Sequence, residues 1–505
     1  MSSLNIWNNS IIVCTASFFL CFFYNQTCYS KTTDYIFSTS NQLFVISSDY
    51  DLGGKTINCG DNSIFDFRGG SLYNGTLIFH NNLLTGNIKI KCSIQGTIKN
   101  KLINIVCFGA DNRGKEDVTN IINDCLQVAK SSGANIYAPR GKYLLKSKIC
   151  FNPSFKTCIP EDPNTYFDYY GITFSGDGGS TLFYGVTSEG SDTFNLYCVK
   201  NISFRDFEVT NDITNPLSKI GSNAISVVNG ENIEFLNIKA FGADGVEYQY
   251  AFDGGKGFTV QSIYAKEISF VNCYAYNCPS GFLIQYDNNE TTQISISNCT
   301  AEKCQEGLYL GWMSERRFGI KHCAIKVDLT VKNCMVGYRE EFVEGVIGDI
   351  KVRNTEKVNK LIKNIEGRYW LNYKGLSEIR QSSYAFFLYG TNNSQIIGSV
   401  EAPQLNNVLI LDNYDADGKI ANGNCVISIS VNPNLSISKR TDRNEVKRGD
   451  FKEEKISINT GHNHLLIKNS MISLRGFNPQ DIPQSLIKKG RNNTVTLDDI
   501  ILVNE

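Results

Sequence analysis

One short phrase returns along the middle of the chain. It reads Asn201-Ile-Ser-Phe-Arg-Asp206, then Asn232-Ile-Glu-Phe-Leu-Asn237, Glu267-Ile-Ser-Phe-Val-Asn272, Gln293-Ile-Ser-Ile-Ser-Asn298 and Asp328-Leu-Thr-Val-Lys-Asn333. Each copy alternates apolar and polar residues, as a strand does, and closes on Asn or Asp. A strand repeated at intervals of tens of residues points to a solenoid, because one repeat cannot bury its apolar face alone and must stack on its neighbours. The closing positions are 31, 35, 26 and 35 residues apart. A parallel β-helix coil needs roughly 20–25 residues, so the surplus is read as loops inserted at turns. Asn side chains stacked at equivalent turns would hydrogen-bond along the axis. Cys273, Cys299 and Cys334 follow the ladder directly, with Cys278 and Cys304 as a second register. Asp349–Asn354, His464–Asn469 and Val495–Asp499 read as later rungs. A propeller or a sandwich is the alternative; the uneven spacing argues against a propeller.

The chain has 505 residues and a formal net charge of −1, which leaves no basic footprint for nucleic acid. Residues Ile11 to Tyr24 are almost wholly apolar, too short for a membrane span and suited to the core of a secretory signal. Small residues at Cys28 and Ser30 suit cleavage before Lys31, although Met1–Ser10 lacks the usual Lys or Arg. The expected location is secreted, periplasmic or cell-surface, with an uncleaved anchor as the alternative and no stable span after cleavage. Among 17 cysteines there is no Cys-x-x-Cys, which disfavours a zinc ribbon. Spacing leaves the pairing of the ladder cysteines undecided.

The expected organisation is a signal over 1–30, a glycine-rich N-terminal β cap module over 31–100 and a solenoid over 101–505. One helix is expected at about 117–132, with Ile121, Ile122, Cys125, Leu126 and Ala129 on one face and Gly133 ending it. Residues 437–456, dense in both charges, read as a solvated loop.

Val106-Cys-Phe-Gly-Ala-Asp111 is followed by Asp117-x-Thr119, the helix, and Ile136-Tyr137-x-Pro139-x-Gly141-x-Tyr143. This segment resembles the opening of the pectate-lyase superfamily, in its rhamnogalacturonase/epimerase-like group. The resemblance implies an all-β, right-handed parallel β-helix with a capping helix, in which Asp111 closes a turn. It also implies action on a carbohydrate at the outer face of one parallel sheet. The Asn-Thr-Asp, Asp-Asp, Gly-His-Gly and Arg-Ile-Lys set of polygalacturonase-like members is absent in the expected order, so the resemblance carries architecture and not the reaction.

Candidate site residues come from aligning Gly245–Tyr250 with Gly281–Tyr286 and Gly307–Trp312. Alternation sends Val246, Phe282 and Leu308 to the core. It sends Glu247, Leu283 and Tyr309, then Gln249, Gln285 and Gly311, outward. Tyr250, Tyr286 and Trp312 form an aromatic column, either a core stack or a sugar platform. Asp253, Asn289 and Glu315 share the next register, with Asp287 two residues earlier. With strands ~4.8 Å apart, Asp287 would lie about 8 Å from Asp253 and from Glu315. Inverting glycosidases hold their carboxyls ~6.5–9.5 Å apart. Asp253, Asp287, Glu315 and Glu247 are therefore the catalytic candidates. Gln249, Gln285, Tyr250, Tyr286, Tyr309, Trp312, Arg316 and Arg317 are the substrate-binding ones. Solvated turn acids remain the plainer reading of the carboxylates.

The leading expectation is a glycoside hydrolase of a polysaccharide, without a cofactor. The alternatives are a non-catalytic glycan-binding or adhesion solenoid and a polysaccharide lyase. A lyase of this fold would call for calcium and a basic residue such as Lys256 or Arg316. Homotrimer formation stays open.

Overall fold

The computed structural model describes residues 36–160, 162–186, 192–211, 223–241, 256–286, 293–312, 322–341, 343–354, 384–402, 407–412, 422–432, 458–459, 467–468, 470–477, 479–482 and 493–504. The chain divides into two compact units, Met1–Asn100 and Lys101–Glu505.

The glycine-rich first unit is itself a stack of parallel strands. Leu43–Ile46 pairs with Ile64–Phe67, which pairs with the second half of Leu72–Gly86. Thr56–Asn58 pairs with the first half of Leu72–Gly86, which pairs with Ile90–Ile98. Asn41, Asn62 and Asn81 turn equivalent corners with φ of 56°, 56° and 57°. Asn tolerates this left-handed conformation better than most residues, and the Asn81 amide donates to Asn62 Oδ1 at 2.8 Å. Inside, Phe65 packs against Phe37 and Phe79 at 5.6 and 5.7 Å. Gly70 is required by close approach, since a Cβ there would stand 2.1 Å from the Ser48 carbonyl oxygen.

The second unit opens with a strand at Leu102–Asn104 and the helix Thr119–Ser132. Asp117 caps the helix by accepting from the Thr119 amide and hydroxyl at 3.0 and 2.6 Å. Ile122, Cys125, Leu126, Val128 and Ala129 are buried, and Gly133 ends the helix at φ 62°. Asp111 closes the turn ahead of it, accepting from Arg113 Nε and from the Lys115 and Glu116 amides.

From Phe194 onward the strands pair in parallel, coil on coil. This is a right-handed parallel β-helix, all-β apart from the helix and short 3-10 turns. Among the described residues one antiparallel pair, Thr494–Leu497 with Ile500–Asn504, lies near the C-terminal end of the chain. The lumen is apolar and aromatic in the early coils. Phe204, Phe235 and Phe270 stack at 5.1 Å per step, and Phe258 stacks on Phe282 at 4.9 Å. Such pairs add roughly 0.5–1.5 kcal/mol each beyond their buried area.

Two amide ladders bind the corners. Asn237 donates to Asp206 at 2.8 Å, Asn272 to Asn237 at 3.2 Å and Asn298 to Asn272 at 2.7 Å. Asn232 donates to Asn201, and Asn201 to Asp168, both at 2.8 Å. Each ladder starts on a carboxylate, which only accepts, so every amide above it points the same way.

The structure corrects the register at the fifth copy. Cys299 pairs with Leu329, and the Asn298 amide meets the Asp328 carboxylate at 3.2 Å. Asn333 instead joins Asn277 and Lys303 at the next corner, at φ of 52°, 52° and 54°. Cys334 accordingly belongs with Cys278 and Cys304, not with Cys273 and Cys299. The reason is that strand His322–Lys332 runs straight through the former corner without a left-handed residue. These five cysteines are buried thiols whose sulfurs donate to carbonyls, while Cys158 and Cys198 form a disulfide.

Candidate functional site on one sheet face

A column of glycines sets the sheet that matters. A Cβ on Gly257, Gly281, Gly307 or Gly337 would stand 2.8, 2.9, 2.6 or 2.5 Å from a carbonyl oxygen of the next coil. The glycines place Phe258–Ser262 beside Phe282–Tyr286, which lies beside Leu308–Trp312. The slot expected for Gly245–Tyr250 is therefore held by the strand that begins after Gly257. Both segments pair a glycine with a glutamine four residues on, and the surrounding close approach selects the second.

Glu247, Gln249, Tyr250, Asp253, Asp287, Glu315, Arg316 and Arg317 lie outside the described residues, as does Asn289. Asp253 precedes this strand in the chain, whereas Asp287 and Glu315 follow theirs. Tyr286 and Trp312 are paired in register at the strand ends. Gln285 accepts from the Gln261 amide at 3.1 Å. Phe282 and Leu308 line the lumen as expected from alternation; Leu283 and Tyr309 point the other way and are nevertheless buried.

The face carrying Tyr309 gathers charge from several coils. Tyr309 is paired with Arg339 on the next strand. The Arg339 guanidinium lies 4.3 Å from the Tyr309 ring centre. It donates from one nitrogen to Glu306 at 2.8 Å and from Nε to Glu341 at 2.9 Å, with a further bond from Nη2 to Glu341. Tyr309 donates to the other Glu341 oxygen at 2.7 Å, and Ser280 donates to Glu306 at 3.1 Å. Arg339 is only 2% exposed. Burial works against its charge, but Glu341 and Glu306 outweigh it and hold the guanidinium firmly protonated. Burial, reinforced by Glu341, pushes the Tyr309 phenol well up.

Earlier in the stack lies a second group. Asp192 accepts from the Asn223 amide and side chain at 2.8 and 2.9 Å and from Asn195 at 3.1 Å. Burial raises its carboxyl nonetheless. Lys256, 7% exposed, is paired by its carbonyl to Ala224 on the adjoining coil. Burial lowers its amine to about 8, against the opposing pull of Asp192 and Glu306. An amine so placed is neutral over a useful range of pH and can accept a proton. Beyond Arg339 the face turns apolar, with Met335, Val336, Tyr384, Phe387 and Ile410 clustered.

Asp192, Glu306, Arg339 and Glu341 escaped the sequence reading. The usable signal was Gly337-Tyr-Arg-Glu-Glu341, a glycine in column followed by three charges in strand register. Among the described residues, no group of three or more His, Cys, Asp or Glu could hold a metal ion, and no helix is long and apolar enough to cross a membrane.

Residues 102–339 match the family model described as rhamnogalacturonase A/epimerase, pectate lyase-like. No curated protein matches the sequence. Among solved structures, the Azotobacter vinelandii mannuronan C-5 epimerase AlgE4 A-module is 15% identical, covering 74% of this chain and 98% of that one, with a TM-score of 0.38. The Streptococcus pneumoniae surface protein and adhesin PfbA is 11% identical, covering 78% and 96%, with a TM-score of 0.42.

Proposed function

Residues 102–339 belong to the pectate lyase-like rhamnogalacturonase A/epimerase family, and from that premise we propose a secreted enzyme that cleaves a uronic-acid polysaccharide on the face bearing Lys256, Glu306, Tyr309 and Arg339. The observation that carries the reading is Lys256, an almost buried amine that burial lowers to about 8 and that feels the charges of Asp192 and Glu306. The reaction is β-elimination. The neutral Lys256 amine takes the proton next to the sugar carboxyl, the C–H electrons form the C=C bond, and the bond to the departing glycosidic oxygen breaks. The lysine ammonium so formed is then a proton source for that oxygen. Glu306 and Glu341 are poorly placed for hydrolysis, since the Arg339 guanidinium lies between them and engages both. The Cys158–Cys198 disulfide supports an oxidising compartment.

Hydrolysis is the second reading. Asp192 favours it, as a buried carboxyl whose raised pKa suits a general acid. Under that reading Asp253, Asp287 and Glu315 are the further acids to substitute.

A polysaccharide panel separates the readings. Elimination yields ultraviolet-absorbing unsaturated ends together with reducing ends, and hydrolysis yields reducing ends alone. No cleavage of any glycan would favour a binding or adhesion solenoid. Lys256→Met should lower kcat about 100-fold or more. The wild-type rate should rise with pH through about 8, as the lysine loses its proton. A Lys256→Met enzyme within tenfold of wild type overturns the assignment.

A further inference from the structure

We propose a second glycan-binding site on a different sheet of the same coils, a bed of Phe241, Tyr274 and Tyr276 that takes an acidic oligosaccharide. Its residues come from two adjoining coils. Tyr274 is in register with Lys239, and Tyr276 with Phe241. Alternation turns all four outward, because Ala240 and Ala275 between them are fully buried. The rings are half-buried, with part of each open to water.

Three features separate this bed from ordinary packing. The Tyr274 and Tyr276 rings are 13° from parallel with centres 6.2 Å apart. The Tyr274 hydroxyl donates to Glu302 at 2.8 Å, which pins its ring. On the two coils that directly flank the rings, the same columns carry polar outward residues, Glu208 and Thr300 in one and Thr210 and Glu302 in the other. The three adjoining rings are thus bounded by polar residues on both flanking coils. Rings exposed in this way offer apolar faces to the C–H faces of a pyranose, with polar groups at the rim to fix orientation.

The rim decides the ligand class. The Lys239 ammonium stands 5.2 Å from the Phe241 ring centre and 5.9 Å from that of Tyr274, and Lys303 stands 5.9 Å from Tyr276. Two ammonium groups beside a sugar-sized apolar bed suit a uronic-acid residue, whose ring lies on the aromatics and whose carboxylate meets Lys303 or competes for Lys239 with Glu208, which holds that ammonium at 3.2 Å. The bed shares no residue with the face around Lys256, so it would hold a polymer while a different stretch is processed. The inference does not require chemistry at Lys256.

The test is affinity electrophoresis of the full chain through gels holding polygalacturonic acid or a neutral galactan. Wild type should be retarded by the acidic polymer and far less by the neutral one. The Tyr274→Ala/Tyr276→Ala double variant should lose about tenfold or more in affinity, the scale of an aromatic hot spot. Tyr276→Phe should keep it. A thermal melt confirms that the double variant is folded, and a Phe241→Ala variant provides an independent probe. Lys256→Met should be retarded like wild type, which separates this site from the proposed reaction centre. Unchanged retardation of the folded double variant overturns the inference, as does absence of wild-type retardation. Equal retardation by the neutral polymer overturns the ligand class. Loss of cleavage of a short oligosaccharide by the double variant overturns the separateness of the two sites.

Discussion

Strands Ser280–Tyr286 and Val336–Glu341 occupy the same slot of the coil two levels apart, and they solve the same packing problem in opposite ways. The first sends Phe282 and Ile284 into the lumen, where Phe282 stacks on Phe258 at 4.9 Å. The second sends in Tyr338 and Glu340, both fully buried. On the outer side Leu283 and Gln285 give way to Arg339 and Glu341. The corners differ too. Asn272 and Asn298 bind the first level by their amides, whereas His322–Lys332 and Glu344–Arg353 run straight past that corner at the second. One backbone slot thus accepts an apolar stack or a charged cluster. The charged version holds wherever each charge finds an opposite partner. Arg339 has two. Among the described residues Glu340 accepts from the Tyr338 hydroxyl and faces no cation, and burial pushes its carboxyl up to about 7.

The largest expected effect follows from Arg339. Arg339→Met leaves Glu306 and Glu341 buried without their cation and should cost about 3–5 kcal/mol in urea denaturation. Adding Glu306→Gln and Glu341→Gln should restore most of it, since the uncompensated charges are then gone. A cost below ~1 kcal/mol in the single variant would erase the distinction between the two levels.

The lumen acid gives the next effect, and its sign is fixed by the direction of the shift. A carboxyl raised from 4.5 to about 7 favours the protonated folded protein. Its penalty is absent below the unfolded value, grows as pH rises towards about 7 and is constant above. Glu340→Gln should therefore gain stability relative to wild type, by on the order of 3 kcal/mol, between about pH 4 and pH 8. Parallel stability curves for the two proteins would show that Glu340 is not held neutral.

How much of this could be read from the chain follows the same division. The first level was legible because its signals are local and repeated. Asn237, Asn272 and Asn298 each close a phrase of the same apolar-polar alternation, and Phe235 and Phe270 sit at its apolar positions. The second level was not. Asp328-Leu-Thr-Val-Lys-Asn333 keeps the phrase yet shifts by one corner, because the strand straightens and Asn333 takes the following turn. The helix and its flanks were read from capping and periodicity, which depend on few residues. The charged face was missed because burial on both sides of Val336–Glu341 arises from tertiary stacking that alternation cannot report. Gly257 was the missed register mark: its function is close approach to the next coil, and nothing in its immediate neighbours distinguishes it from Gly245.

The smallest effects test the corners. Asn272 accepts from Asn298, donates to Asn237 and holds φ at 52°. Asn272→Ala loses both bonds and forces alanine into the left-handed region, for about 2 kcal/mol in all. Asn272→Gly loses the same bonds without the conformational strain and should cost about half as much. The gap between the two variants therefore isolates the corner geometry from the ladder. At the second level Asp328 only accepts from the Asn298 amide at this corner and makes a long ion pair with Lys351 at 4.0 Å. Asp328→Ala should cost no more than about 1 kcal/mol, because the strand there needs no left-handed residue. Should Asp328→Ala prove as damaging as Asn272→Ala, the straightened corner would depend on its side chain as much as the bent one does, and the two levels would differ in their charges alone.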